Sequence, residues 1–388
     1  MVVQRRPGSP VDCLSMPNSR PVTAPDFLLS RAHGSVRTQG SRDTFDDPWD
    51  AVSALRAGRH DMIVGALPFD PEALCALTVP ESIIRSDSPL EPHAHYRFGP
   101  GSQLNAHLAG VDPDEKTHLS RVSAAVRTIT RTPLQKVVLA RAVDIAFDPP
   151  VDPLLVAARL IDHSANRDGF IADLSPAGGR FTGRLLVGSS PEVLVRKHGS
   201  TVSAYPLAGS AARLADRDRD CLVGQQLRTS TKDLAEHRFV VDALAAALSP
   251  LCSSLDVPIH PELTRTNEMW HLATPISGRL KDKRTTALEL ALAVHPTPAV
   301  CGTPTEAAQA VISAAESDRG FYAGAVGWCD STGDGEYMVA IRCAEVSADG
   351  MTARTWAGGG IIGDSDPQAE LEETTAKLRT VLHALGIS

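Results

Sequence analysis

The sequence contains no CxxC pair. Its seven cysteines, Cys13, Cys75, Cys221, Cys252, Cys301, Cys329 and Cys343, are scattered and odd in number. That argues against a disulfide framework or a structural zinc site, and reads as reduced thiols in a cytoplasmic protein. No apolar run approaches the roughly 18 residues that span a bilayer, so no membrane span is predicted. Arg5 and Arg6 are not followed by an apolar stretch, so no secretory signal is expected. Positive charge is not in excess either. Lys plus Arg is 38 against 46 for Asp plus Glu, a formal net charge of −8. A general nucleic-acid footprint is therefore not expected.

What is present is ordinary globular material. Hydrophobic residues make up 43% and charged residues 22%, which argues against disorder over most of the length. At roughly 150 residues per domain, 388 residues suggest two or three domains or one large one. A chain this long buries about three quarters of its unfolded surface and needs no staple. Residues 1–25 carry Pro7, Pro10, Pro17, Pro21 and Pro25 among serines and read as a disordered tail. Residues 26–388 are then the folded domain. No internal repeat is found.

Strand and helix patterns are mixed. Residues 62–69 form a buried apolar run, 112–131 a helix pattern, and 136–145 a strand rich in β-branched residues. Residues 153–163 read as a helix with Pro153 in its first turn. Successive strands are predicted over 169–207, then a helix at 231–248. A strand or loop covers 264–278, and helices follow at 285–294 and 305–315. The proline-rich 295–304 must be a loop. Strands are predicted near 321–329, 336–346 and 351–357, then a glycine-rich loop at 358–363 and a helix over 367–385. Without regular βαβ alternation, the fold class is α+β.

Several residues stand out chemically. Val240, Ala243, Leu244, Ala247 and Leu248 form one helical stripe, and Glu236 extends it. A carboxylate in line with a core face needs a metal, a cation or a substrate, or else lies just beyond the buried face. In the last helix, Leu371, Thr375, Leu378, Leu382 and Leu385 predict the apolar face. Glu373 and Lys377 then form an outward i, i+4 pair, solvent-exposed unless that face lines a cleft. The run AGGGIIGDSDP (357–367) offers backbone N–H groups ahead of a helix start, as an anion cradle or simply a tight turn. It lacks the Lys-Ser/Thr of a P-loop, and no nucleotide is invoked. Lys136 on an apolar strand is either a desolvated base or a snorkelling strand end. Glu192, after Ser-Ser-Pro, is an acid or a turn carboxylate. Arg342, interrupting MVAIRCAEV, holds a carboxylate or an internal salt bridge.

The order and wording of the segments carry more than any one of them. GALPFD (65–70), KVVLAR (136–141), VGSSPEVLVRK (187–197), PLAGSA (206–211) and TKDLAEHRFVVD (231–242) resemble the chorismate-utilising enzymes. So do WHLATPISG (270–278), HPTPAVCG (295–302), RGFYAGAVGWCD (319–330), VAIRCAEV (339–346) and WAGGGIIGDSDPQAELEETTAKL (356–378). Within that family the wording is similar to the isochorismate synthases. The strong part covers roughly residues 130–385; the N-terminal third matches only in scattered places.

The resemblance implies a single large α+β domain, with antiparallel sheets packed together, helices outside and a deep cleft. It makes Lys136 the general base that activates water for attack at C2 of chorismate, and Glu192 the acid that protonates the departing C4 hydroxyl. It makes Glu236 and Glu373 ligands of a magnesium ion, and Arg342 and Lys377 the cations on the substrate carboxylates. Gly209 and Gly358 approach the substrate through their backbone, with Ala299 beside the ring and His271 nearby. Such a site needs a neutral base and a protonated acid.

The resemblance also sorts the reactions. Pro206-Leu207-Ala208-Gly209-Ser210 lacks the nucleophilic lysine of aminodeoxychorismate synthases, and Lys136 stands where anthranilate synthases typically carry glutamine. Water as nucleophile leaves isochorismate synthase, or a salicylate synthase that goes on to eliminate pyruvate; a catalytically silent carboxylate-binding paralogue is the third alternative. No amidotransferase subunit is expected, and the resemblance leans toward a monomer.

Overall fold

The computed structural model describes residues 21, 23–98 and 100–387. Most of the tail expected over 1–25 lies outside the described residues, as does Cys13. Within the described part of that tail, the Ala24 carbonyl accepts a bond from the Gln39 amide at 3.0 Å. The six described cysteines are free thiols.

Two large sheets and one small sheet carry the fold, and all their pairings are antiparallel. The first has ten strands. Its longest strand, Lys136–Phe147, lies next to one edge, followed across the sheet by Thr352–Ile361, Cys343–Val346, Leu185–Gly188 and Gly169–Asp173. The second has nine strands and includes Thr201–Tyr205, Val193–His198, Gly335–Val339, Ala325–Asp330 and Met62–Leu67. The third pairs Leu207–Ala212, Met269–Ala273 and Glu262–Arg265. Lys136–Phe147 is buried at ten of its twelve positions, because it is covered on both faces. That is why it reads as a continuous apolar run rather than an alternation.

The helices at Pro153–His163, Thr231–Leu248 and Thr305–Ala315 have the expected bounds. Asp152 and Ser230 cap the first two by accepting bonds from Leu154 N–H and Asp233 N–H. Along Thr231–Leu248 the buried stripe runs through Glu236, His237, Val240, Val241, Leu244 and Leu248. Ala243 and Ala247 are only half-buried. Helix Arg217–Thr229, the helix Pro48–Arg56 and the N-terminal strands other than Met62–Leu67 were not anticipated. The stretch 264–278 is not one element but parts of three strands.

Three further expectations are corrected, and each correction bears on the site. The glycine-rich loop at 358–363 is largely strand: Thr352–Ile361 runs unbroken, with Gly358, Gly359 and Gly360 opposite Ala140, Leu139 and Val138. The run 358–363 has the glycine spacing of a dinucleotide turn, but its first three glycines lie within the strand and the helix begins only at Pro367. The single strand at 336–346 is two strands in different sheets, Gly335–Val339 and Cys343–Val346. Arg342 sits at that crossover with φ 52°, a left-handed conformation uncommon outside glycine. In the last helix, Pro367–Ala384, Thr375 is exposed, and its hydroxyl accepts a bond from Arg141. Leu371, Leu378 and Val381 face the core, while Glu370, Thr374 and Thr380 bury a second, polar face.

Candidate active site

The sheets meet where strands leave one for another. Leu185–Gly188 belongs to the first sheet and Val193–His198 to the second, so Glu192 lies on a crossover. Arg342 lies on the return crossover. Thr201–Tyr205 passes into the third sheet at Pro206, which places Gly209 and Ser210. The cleft at this junction encloses about 630 Å³ of free space, part of it open to solvent. That is within the range of small-molecule sites.

Eight of the ten site residues read from the sequence line this cleft: Glu192, Gly209, Glu236, His271, Ala299, Arg342, Gly358 and Lys377. Lys136 and Glu373 do not form its wall. Each stands one ion pair behind it. Lys136, fully buried, places Nζ 3.0 Å from Glu236 Oε1. Glu373 Oε1 lies 2.5 Å from Lys377 Nζ, which also donates to the Gly358 carbonyl at 2.9 Å. The last helix therefore turns Glu373 and Lys377 toward the cleft rather than to open solvent.

The environment sets each group's charge. Burial raises the Glu192 carboxyl to about 7, against the opposing pull of the Leu207 N–H, Lys136, Lys377 and Arg342. Among the described residues its one side-chain hydrogen bond is long, from Leu207 N–H at 3.4 Å. Burial would also raise Glu236, but Lys136, Lys377 and Lys232 outweigh it and hold that carboxylate below its usual range. His271 is held well below 6.5 by burial, with Arg342 and Lys377 close by, so its imidazole is neutral. Its Nδ1 is 2.9 Å from Ser210 Oγ, and its buried Nε2 has no partner among the described residues. Burial depresses Arg342, with Glu268 the leading opposing charge. Its Nη1 donates to the Lys377 carbonyl at 3.2 Å.

The fit to a divalent cation can be tested on two features. The glycine strand leaves free space beside the carboxylates. A Cβ on Gly360 would stand 2.0 Å from Glu236 Oε1, and one on Gly359 would stand 3.0 Å from Glu370 Oε2. Three carboxylates also gather there, Glu236, Glu370 and Glu373, each facing a lysine that a metal would have to displace: Lys136, Lys232 and Lys377. Burial and then Glu373 push Glu370 up to about 7 despite Lys232 at 2.6 Å, and its buried Oε2 makes no hydrogen bond among the described residues. No group of three or more His, Cys, Asp or Glu among the described residues is arranged as a metal cage. Magnesium does not need one, since it takes one or two carboxylates and fills its octahedron with substrate oxygens and waters. The residues fit.

The apolar walls were not singled out from the sequence. Val138, Val300, Tyr322, Ile341 and Trp356 also line the cleft. Tyr322 stacks on Trp356 with centroids 5.4 Å apart. Tyr322 falls inside RGFYAGAVGWCD (319–330), one of the segments that carry the resemblance, but nothing in the sequence marks it individually.

Comparison with known proteins identifies the family. Residues 91–386 match the family described as "Chorismate binding enzyme". MenF of Mycobacterium tuberculosis is 45% identical over 369 residues, covering 94% of this chain and 96% of that protein. Isochorismate synthase DhbC of Bacillus subtilis is 42% identical, covering 87% of this chain and 85% of its own. The solved structure of MenF, the menaquinone-specific isochorismate synthase from Escherichia coli, superposes with a TM-score of 0.79. It is 26% identical and covers 94% of this chain and 89% of that one. The chain belongs to the chorismate-binding enzyme family.

Proposed function

We propose that this family member converts chorismate to isochorismate, with residues 26–388 as its catalytic domain. One observation carries the reading. A carboxyl that burial raises to about 7, Glu192, stands in a cleft wall that also presents Arg342 and Lys377, with a fully buried amine, Lys136, one ion pair behind it. An acid, a base and two cations are what a dianion needs if water is to add at one ring carbon as hydroxide leaves another.

In this reading Arg342 and Lys377 bind the two carboxylates. Glu236 and Glu373 would hold a magnesium ion, which when bound supplies charge stabilisation at the ring carboxylate. Lys136 Nζ takes the proton from the attacking water, and the Glu192 carboxyl gives its proton to the C4 hydroxyl as it departs. Tyr322, Trp356 and Val138 exclude bulk water from the ring. The Gly209 and Gly358 backbones let the substrate approach closely. Among the described residues no helix is long and apolar enough to cross a membrane. The reading needs no amidotransferase and no second copy of the chain, and it places the reaction in the cytoplasm.

The test is incubation of the purified protein with chorismate and magnesium, with products separated by chromatography and pyruvate assayed alongside. Isochorismate without stoichiometric pyruvate is the expected result. Salicylate with matching pyruvate would move the assignment to a salicylate synthase. No turnover, together with no thermal stabilisation by chorismate and magnesium, would sink the enzymatic reading.

A further inference from the structure

The strand that carries Lys136 has an interrupted edge. Thr352–Ile361 covers one side along its length. On the other side, Gly302–Thr303 pairs with Val137 and Lys136, and Val138 N–H donates to the Cys301 carbonyl at 2.7 Å. Ala106–Asp112 takes over only from Ala142 onward. The Val138 carbonyl and the Ala140 N–H fall in the gap. Arg319 Nη2 donates to the first at 2.8 Å, and Glu316 Oε1 accepts from the second at 2.7 Å. The two side chains are joined by a bidentate pair, Nε to Oε2 at 2.8 Å and Nη2 to Oε1 at 2.9 Å. Together they fill the place of a missing strand.

The same guanidinium reaches further. Arg319 Nη1 donates to the Val300 carbonyl at 2.8 Å, in the loop that carries Ala299. Its backbone carbonyl accepts from Tyr322 N–H at 3.0 Å, and its cation lies 4.5 Å from the Phe69 ring centroid. Val138, Val300 and Tyr322 all line the cleft, so one buried residue is tied to three of its walls. A buried ion pair is weak evidence for stability, because a well-packed apolar pair often serves as well. An apolar pair could not fix two carbonyls and an N–H at set positions.

We propose that Glu316 and Arg319 are positioning residues. They hold the Lys136 strand and the Ala299 loop at the separation at which base, water and ring meet. The proposal rests on the reaction proposed above. Neither side chain touches the substrate; both act through Val138, Ala140 and Val300.

R319K is the test. It keeps a charge opposite Glu316 but replaces a planar fork with a shorter-reaching point donor, which cannot serve Glu316, Val138 and Val300 together. A misplacement on the order of 1 Å costs about 100-fold in rate, so kcat should fall about 10- to 100-fold. KM should stay within about threefold, since Arg342 and Lys377 are untouched. Hydrogen exchange in peptides spanning 136–141 and 297–303 should speed up about tenfold or more, with other peptides unchanged. A folded R319K whose kcat is within about twofold of wild type would overturn the proposal. So would a loss carried by KM, or unchanged exchange in those two peptides. Should R319K fail to fold, E316Q, which keeps the two carbonyl bonds of Arg319, decides. A kcat loss of about threefold or more with faster exchange over 136–141 supports the proposal, and wild-type kcat overturns it. An inactive wild type would refute the functional reading alone, before any variant is made.

Discussion

Replacing Glu192 with glutamine should make the protein more stable and inactive at once. The buried Glu192 carboxyl sits at about 7 against an ordinary 4.5. Below pH 4.5 it is protonated in both the folded and unfolded chain and costs nothing. Between 4.5 and 7 the unfolded chain releases the proton while the folded chain keeps it, so stability is lost as pH rises. Once pH passes 7 the loss is complete, at about 3 kcal/mol. Glutamine cannot ionise and escapes that loss. It can still accept the bond from Leu207 N–H. E192Q should therefore gain about 3 kcal/mol on wild type at pH 8 relative to the difference measured at pH 4.5. In a chain of 388 residues that is a shift of about 4 °C in Tm. Comparing the two pH values removes any effect of the amide on packing, because only the ionisation changes between them. Calorimetry at both pH values and chorismate turnover complete the assay. Wild-type kcat/KM should fall about tenfold per pH unit above 7, as the free enzyme loses its acid. If wild type and E192Q respond to pH alike, the carboxyl is not held protonated by burial, and its assignment as the acid loses its physical basis.

Two other substitutions probe the groups behind the wall. Lys136→Met should lower kcat by about 100-fold or more, the range of a lost general base, while chorismate still quenches or shifts tryptophan fluorescence. Trp356 lines the cleft, so that signal reports binding without turnover. A variant with wild-type kcat would remove Lys136 as base. Gly360→Ala drives a methyl to within 2.0 Å of Glu236 Oε1, which must swing away. Folding should survive, because the obstacle is the end of a side chain rather than backbone. The thermal shift produced by magnesium should vanish, and an unchanged shift would take Glu236 off the metal.

The sequence exposed most of the long helices and most of the residues that line the cleft, but not where the strands change sheets. Helices at 153–163, 231–248 and 305–315 were legible because cap and period agree there. The strand over 336–346 read as one because MVAIRCAEV is apolar throughout. Nothing local says that Arg342 adopts φ 52° and hands the chain from one sheet to the other. Gly358 to Gly360 read as a loop because glycine usually marks one. Here the glycines make room: their strand is flat against Glu236 and Glu370, a requirement visible only once two distant helices are in place. Glu316 and Arg319 were invisible for the same reason, since their partners on Lys136–Phe147 lie 176 and 181 residues away. Apart from Met62–Leu67, read from its apolar run, the N-terminal strands went unread because most are short and few alternate cleanly.

The pairing of the site residues leads to one further expectation. Without ligands, Lys136 neutralises Glu236 and Lys377 neutralises Glu373. In the proposed reaction these four residues have other partners: the carboxylates take the metal, and the lysines face water and substrate. A divalent cation alone would leave both lysines without counter-charges in a buried site. A dianion alone would leave both carboxylates without theirs, and uncompensated buried charge is expensive. Together the two ligands carry no net charge: the metal compensates Glu236 and Glu373 while the dianion compensates Lys377 and Arg342, and Lys136 is released from Glu236 to face the water. Magnesium and chorismate should therefore bind synergistically, each tightening the other by the same factor. Thermal shifts measured on a slow variant such as Lys377-intact E192Q, with magnesium, chorismate and both, give the readout. The shift with both should exceed the sum of the two. A merely additive shift would mean that the lysine–carboxylate pairs do not exchange, and that Lys136 is held by Glu236 too firmly to serve as the base.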